Sequence, residues 1–150
     1  MNIRRAMLAL ILAAAFPAAA YSAGGPDPDP GPQAAESPYD LGRARTKEGN
    51  WVLAASLFRK AVKKDEKSFK ALNMLGYSLR QMGRLPEAIQ AYDRALAINP
   101  NFGQALEYRG IAHLKAGNRE AALRDHQSLV RLGSPLAADL KEAIDRAAAN

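Results

Sequence analysis

The chain has 150 residues, enough for one modest domain, and its shares of apolar (48%) and charged (24%) residues are those of a globular protein. It has no cysteine, which excludes disulfides and thiolate metal sites. The formal net charge of +6 slightly favours anionic partners and identifies none of them.

The first twenty residues have the pattern of a secretory signal peptide. Arg4 and Arg5 precede an uncharged apolar run over 6–23 that ends in small residues. We expect cleavage after Ala20, with cleavage after Ser22 as the second possibility, and no stable membrane span after cleavage. The protein is then exported, to the bacterial periplasm. An uncleaved signal that anchors it in the inner membrane is the alternative, because about 18 apolar residues are the lower limit of a span.

A linker follows the predicted signal peptide. The segment GGPDPDPGPQAAES at 24–37 is rich in glycine and proline and has almost no apolar side chain to bury. Such a composition cannot offset the entropy lost on ordering, so we expect residues 21–36 to form a disordered Pro/Gly-rich linker. The folded domain is predicted over residues 37–150.

That domain repeats itself with a period of 34 residues. The series are glycines at 42, 76 and 110, glycines at 49, 83 and 117, alanines at 54, 88 and 122, and the ring-bearing residues Phe58, Tyr92 and His126. Chance alone would place the glycines in register in roughly two of 100,000 sequences. We therefore predict three units, at about 35–68, 69–102 and 103–134, each made of two helices.

Start and stop signals define the helices of the middle unit. Ser68 can cap the first helix, and Gly83 provides the left-handed residue that ends it. Pro86 lies in the first turn of the second helix, and Asn99-Pro100 stops that helix. In the outer units Asn50 and Asn118 hold the corresponding cap positions.

Small residues predict close packing between the two helices of a unit. We expect Gly76 on the first helix to meet Ala88 on the second, because helix axes approach closely only where side chains are small. Ala95 would leave room for the next unit. The rings at 58, 92 and 126 would fill the space between.

The pattern resembles the tetratricopeptide repeat family. The residues that carry the resemblance in the middle unit are Leu75, Gly76, Gly83, Ala88, Tyr92, Ala95 and Pro100. The resemblance implies an all-α fold, a superhelical stack of three helix-turn-helix repeats with a C-terminal capping helix. Departures occur in the outer units, where Pro38 replaces a large aromatic and Arg109 replaces a leucine.

The capping helix is predicted over 135–149, with Ser134 as its N-cap and Pro135 at its first helical position. Its apolar stripe is Leu136, Leu140, Ala143, Ile144 and Ala147. A stacked repeat needs a lid over its open end, and we assign the stripe that role. Weak self-association through this helix is the alternative.

No catalytic, cofactor or metal motif accompanies the repeat. The sequence lacks a phosphate-binding Gly-x-x-x-x-Gly-Lys loop and a Gly-x-Ser-x-Gly nucleophile elbow, so we expect no enzyme, no cofactor and no metal. The two histidines, His113 and His126, hold core-type positions, and we expect them buried, neutral and facing one another. The third repeat should then loosen below about pH 6.

The resemblance implies a protein-interaction adaptor that holds a peptide or partner segment in its concave groove, in the cell envelope. The candidate groove residues are Tyr39, Arg43, Lys47, Asn73, Tyr77, Arg80, Gln81, Tyr108 and Lys115. Rings and cations suit a protein or peptide partner that carries acidic groups. The lysine–asparagine–arginine clamp by which some family members hold a C-terminal carboxylate does not transfer, because Tyr39, Arg43 and Met74 replace its residues.

Other functions remain open at this point. The domain can be a structural subunit of an envelope assembly that uses its convex face or its capping helix. It can also bind an anionic envelope polymer. Nucleic acid is not expected, because lysines and arginines are mixed with acidic residues throughout the units.

Overall fold

The computed structural model describes residues 36–149, and their regular structure is entirely α-helical. The helices are α1 (Pro38–Lys47), α2 (Trp51–Lys64), α3 (Phe69–Gln81), α4 (Leu85–Ile98), α5 (Gly103–Lys115), α6 (Arg119–Arg131) and α7 (Leu136–Ala148). The predicted signal peptide at 1–20 and the predicted linker, apart from its last residue, lie outside the described residues.

The predicted N-caps of three helices are confirmed. The side chains of Asn50, Ser68 and Asn118 each accept a hydrogen bond from the backbone N–H three residues further on. Gly83 has a φ of 75°, the left-handed conformation predicted for it. Caps of this kind satisfy the free N–H groups at a helix start, and they explain why α2, α3 and α6 begin where they do.

The start of α7 differs from the prediction. Pro135 lies at the cap position, and the helix begins one residue later, at Leu136. The Ser134 hydroxyl accepts a hydrogen bond from the Leu136 N–H at 3.3 Å. Pro135 itself has helical dihedral angles, φ −61° and ψ −24°, so the difference is one residue at the helix boundary.

The helices stack in chain order, each packed against the helix before it and the helix after it. The first helices of successive pairs also meet, since α3 contacts both α1 and α5. The last helix, α7, packs on α5 and α6. This is the predicted fold class, a superhelical stack of three helix pairs and a capping helix, and it is confirmed.

Each first helix has a glycine where a side chain from another helix presses against it. A Cβ atom on Gly76 would lie 2.7 Å from Cε1 of Tyr92, and a Cβ atom on Gly42 would lie 2.7 Å from Cε1 of Phe58. Gly76 therefore makes room for the tyrosine ring, and the contact between Gly76 and Ala88 stays a prediction. Phe58 and Tyr92 are fully buried, as predicted.

The third repeat uses the capping helix in place of a ring. A Cβ atom on Gly110 would lie 2.6 Å from Cδ2 of Leu140, which α7 supplies. His126 and His113 are only partly buried, so the prediction of two core histidines was wrong. Leu140 fills the space that the prediction had assigned to His126, and both Leu140 and Ile144 are fully buried.

A buried ion pair explains the departure at Arg109. Its Nε and Nη2 donate to the carboxylate of Asp125 on α6 at 3.1 and 2.5 Å, and its Nη1 donates to Asp93 on α4 at 2.6 Å. Burial lowers the pKa of Arg109, but the bonds to these two carboxylates together raise it. Asp125 is 2% exposed and so requires a cation beside it. Arg109 thereby joins three helices.

Candidate functional site

The concave groove is formed by the first helix of each repeat. Its volume is about 430 Å³. Its lining residues are Tyr39, Arg43, Thr46 and Lys47 of α1, Met74 and Tyr77 of α3, and Gln104 and Tyr108 of α5. Rings and a thioether form its apolar wall, while cations line the α1 side. The three helices bring these side chains together because the repeat places them at equivalent positions on parallel elements.

A smaller hollow of about 270 Å³ adjoins the concave groove and shares Tyr39, Met74 and Gln104 with it. Asn73 also lines this hollow, but its side chain is 1% exposed. The Asn73 Nδ2 donates to Gln104 Oε1 at 3.0 Å, whereas its Oδ1 is buried and has no hydrogen-bond partner within residues 36–149. Asn73 is therefore not the freely accessible groove residue that was predicted.

Aromatic rings form a continuous row along the concave groove. The ring of Trp51 meets that of Tyr77 edge to face at 5.7 Å, and Tyr77 lies 5.3 Å from Tyr108. The Arg80 guanidinium lies over both tyrosine rings, 5.2 Å from the centroid of Tyr77 and 5.5 Å from that of Tyr108. Burial raises the pKa of the Tyr108 hydroxyl, which accepts a hydrogen bond from Gln104 Nε2 at 3.3 Å.

The structure brings most of the predicted candidates together. Five line the concave groove, namely Tyr39, Arg43, Lys47, Tyr77 and Tyr108. Arg80 contacts two of its rings. Lys115 lies instead beside a separate hollow of about 490 Å³ between α5 and α7, and Gln81 is exposed on the last turn of α3.

The sequence analysis missed Trp51. It is the only tryptophan of the chain and directly follows the N-cap Asn50. Its partners one and two periods later are Leu85 and Arg119, so the repeat pattern gave no sign of a ring at this position. The isolated tryptophan on an otherwise ring-poor second helix was the available signal.

The described residues also form a groove on another face. A groove of about 360 Å³ lies between α2 and α4 on the outer face, with Arg59, Lys63 and Arg94 at its edge. Within residues 36–149, no group of three or more acidic, histidine or cysteine side chains is arranged to hold a metal ion. Over the same residues, no helix has both the length and the apolar content to cross a membrane.

Comparison with known proteins agrees with the fold. Residues 39–102 match the family model of the tetratricopeptide repeat. No curated protein matches the chain in sequence. The second tetratricopeptide domain of human RPAP3, solved with an HSP70 peptide SGPTIEEVD, is 20% identical, with 73% of this chain and 92% of that one covered and a TM-score of 0.68.

Two further solved structures have the same fold. PcrH, in complex with the chaperone-binding region of PopD, is 22% identical over 75% of this chain and 89% of its own, with a TM-score of 0.68. MamA is 25% identical over 64% of this chain and 56% of its own, with a TM-score of 0.62. Two of these three structures were solved with a bound peptide or protein segment. Residues 39–102 thus match the tetratricopeptide repeat, and the described part of the chain has the fold of solved tetratricopeptide domains.

Proposed function

We propose that the protein is a non-enzymatic adaptor that holds an extended segment of a partner protein in its concave groove. One observation carries the proposal: five of the candidate residues, contributed by α1, α3 and α5, line one groove of about 430 Å³. Aromatic side chains provide contact area at a low entropy cost, and they are enriched where proteins bind tightly.

One buried polar atom beside the concave groove supports an extended peptide as the ligand. The Asn73 Oδ1 is a buried acceptor without a donor, and Asn73 lines the hollow that adjoins the concave groove. Buried polar atoms are nearly always hydrogen-bonded, so a ligand that enters this hollow and displaces the side chains over Asn73 would supply the missing donor. The backbone N–H groups of an extended segment are donors of that kind.

Selection from a random peptide library tests the proposal. The purified domain should enrich a family of peptides, and the double variant Arg43→Glu/Lys47→Glu should bind them at least tenfold more weakly. Both side chains are exposed, so their replacement leaves the fold intact. The reversal places two negative charges on the α1 side of the concave groove, within a few ångströms of the ligand.

A matched control is available on the outer face. Arg59→Glu/Lys63→Glu makes the same charge change at the same spacing, beside the α2/α4 groove. This variant should retain the peptides with unchanged affinity. Equal loss in both variants would indicate a general charge effect, and loss only in the control would favour the outer face.

We also propose that the protein works in the bacterial periplasm, after export. The support is the charge and apolar pattern of residues 1–23. N-terminal sequencing of the protein recovered from the envelope fraction tests this proposal. A mature chain that begins at Tyr21 or Ala23 supports it, and a chain in the cytoplasm that still begins at Met1 contradicts it.

A further inference from the structure

Arg80 lies in the last turn of α3, partly buried, with its guanidinium over the rings of Tyr77 and Tyr108. Contacts of this kind hold a guanidinium in place, because the ring faces are electron-rich. Both rings also line the concave groove. The cation is therefore fixed beside the surface where the proposed ligand lies.

No carboxylate of the described residues forms an ion pair with Arg80. Its Nε is buried and has no hydrogen-bond partner within residues 36–149. By contrast, Arg84 and Arg109 each bond to a carboxylate through two nitrogens, and the Arg45 Nη1 bonds to both carboxylate oxygens of Glu48. Arg80 therefore has no anionic partner among the described residues.

The hydroxyl of Tyr92 lies next to the same guanidinium. Burial raises the pKa of this hydroxyl, whereas the charge of Arg80 and a hydrogen bond with its side chain oppose the rise, so the two groups are close in space. Arg80 thus lies between the buried Tyr92 hydroxyl and the rings of Tyr77 and Tyr108, which line the concave groove.

We propose that Arg80 is a receptor for a carboxylate of the bound segment, one that specifies an acidic group at a single position of that segment. The proposal rests on the proposed function and deepens it. A guanidinium presents a planar fork that fits a carboxylate, and its bonds to a charged acceptor are about twice as strong as neutral ones. The site differs from the lysine–asparagine–arginine clamp by which some family members hold a C-terminal carboxylate. Arg80 is not at any of that clamp's positions.

We expect Glu107 on α5 to weaken the binding of a carboxylate at this cation. The pKa of its half-buried carboxyl is raised by burial and by the charge of Asp139, and it is lowered by the charge of Arg80. Glu107 is therefore close enough to Arg80 to interact with it, although the two form no ion pair. Its negative charge repels a second carboxylate at Arg80, so it weakens acidic ligands.

The test uses peptides selected from the random library on the wild-type domain. We expect an aspartate or glutamate at one fixed position. Replacing it by its amide should weaken binding to the wild type about tenfold, as measured by isothermal titration calorimetry. The same replacement should change the affinity of the Arg80→Gln variant less than twofold. Glu107→Gln should bind the acidic peptide severalfold more tightly than the wild type does.

Three controls separate a receptor from a structural residue. Arg59→Gln, on the outer face, should behave as the wild type does. Arg80→Lys keeps the charge without the fork and should bind with intermediate affinity. Peptides with a free and an amidated C-terminus distinguish a terminal carboxylate from a side chain. Far-UV circular dichroism and urea unfolding confirm that each variant is folded.

The outcomes distinguish this inference from the function on which it rests. Peptides that bind in the concave groove without a preferred acidic position would overturn the inference alone, as would an acid preference that persists in Arg80→Gln. Failure to enrich any peptide whose binding depends on Arg43 and Lys47 would overturn the proposed function, and the inference with it.

Discussion

Replacing Arg109 by leucine should destabilise the domain strongly. The substitution leaves Asp125, whose side chain is 3% exposed, without a cation. Removing one member of a buried ion pair typically costs about 3–5 kcal/mol, because the other charge stays out of water. Asp93 is 54% exposed and returns to solvent at little cost. For a domain whose total stability is about 5–15 kcal/mol, this is a large loss.

Urea unfolding at pH 7.5, followed by circular dichroism, measures the effect. The second repeat has Leu75 and Ala91 one period before Arg109 and Asp125, and both are buried. The double variant Arg109→Leu/Asp125→Ala therefore copies an apolar pair that this fold already contains. It should recover most of the stability, because replacing both charges is often neutral or stabilising.

An exposed pair serves as the control for that experiment. Lys141 and Asp145 bond at 2.6 Å, but their side chains are 52% and 55% exposed, so Lys141→Ala should cost about 1 kcal/mol or less. The reasoning fails if Arg109→Leu costs no more than this control. It also fails if the double variant is as unstable as the single one.

Further predictions concern the core and the pH dependence. Gly76→Ala should cost about 1–3 kcal/mol in urea unfolding, because the new methyl group collides with the Tyr92 ring; an unchanged midpoint would refute that contact. Leu140→Ala should cost about 2–5 kcal/mol, which a dispensable α7 would not show. Burial lowers the pKa of His113 below its ordinary value of about 6.5, so the folded state favours the neutral imidazole. The unfolding free energy that this residue contributes is therefore complete above about pH 6.5 and declines as the pH falls below it. His113→Gln should reduce the difference in unfolding free energy between pH 7.5 and 5.5, and an identical difference would contradict this.

The sequence predicted the fold well because the same pattern occurs in all three units. Glycines, cap residues and apolar positions recur every 34 residues, so each unit supports the same prediction for the other two. The prediction of close contacts was less complete. Spacing places Gly76 and Ala88 on facing helices, but it did not show that the Tyr92 ring packs against Gly76, because that depends on how the helices are rotated about their axes.

The candidate site could be predicted only as a set of positions on the first helices. The repeat register identifies which side chains face inward, and five of the nine candidates line one groove. It does not show which of them bond to one another, so the buried Asn73 was counted as accessible. Trp51 lies on a second helix, outside that register, and only the fold brings it to Tyr77.

Chemical-shift mapping of the ¹⁵N-labelled domain with a selected peptide tests the central claim most directly. The account predicts that the largest changes fall on α1, α3 and α5, at Tyr39, Tyr77 and Tyr108 and at the side-chain amide of Asn73. Changes concentrated instead on the outer face, at Arg59 and its neighbours in the α2/α4 groove, would contradict it.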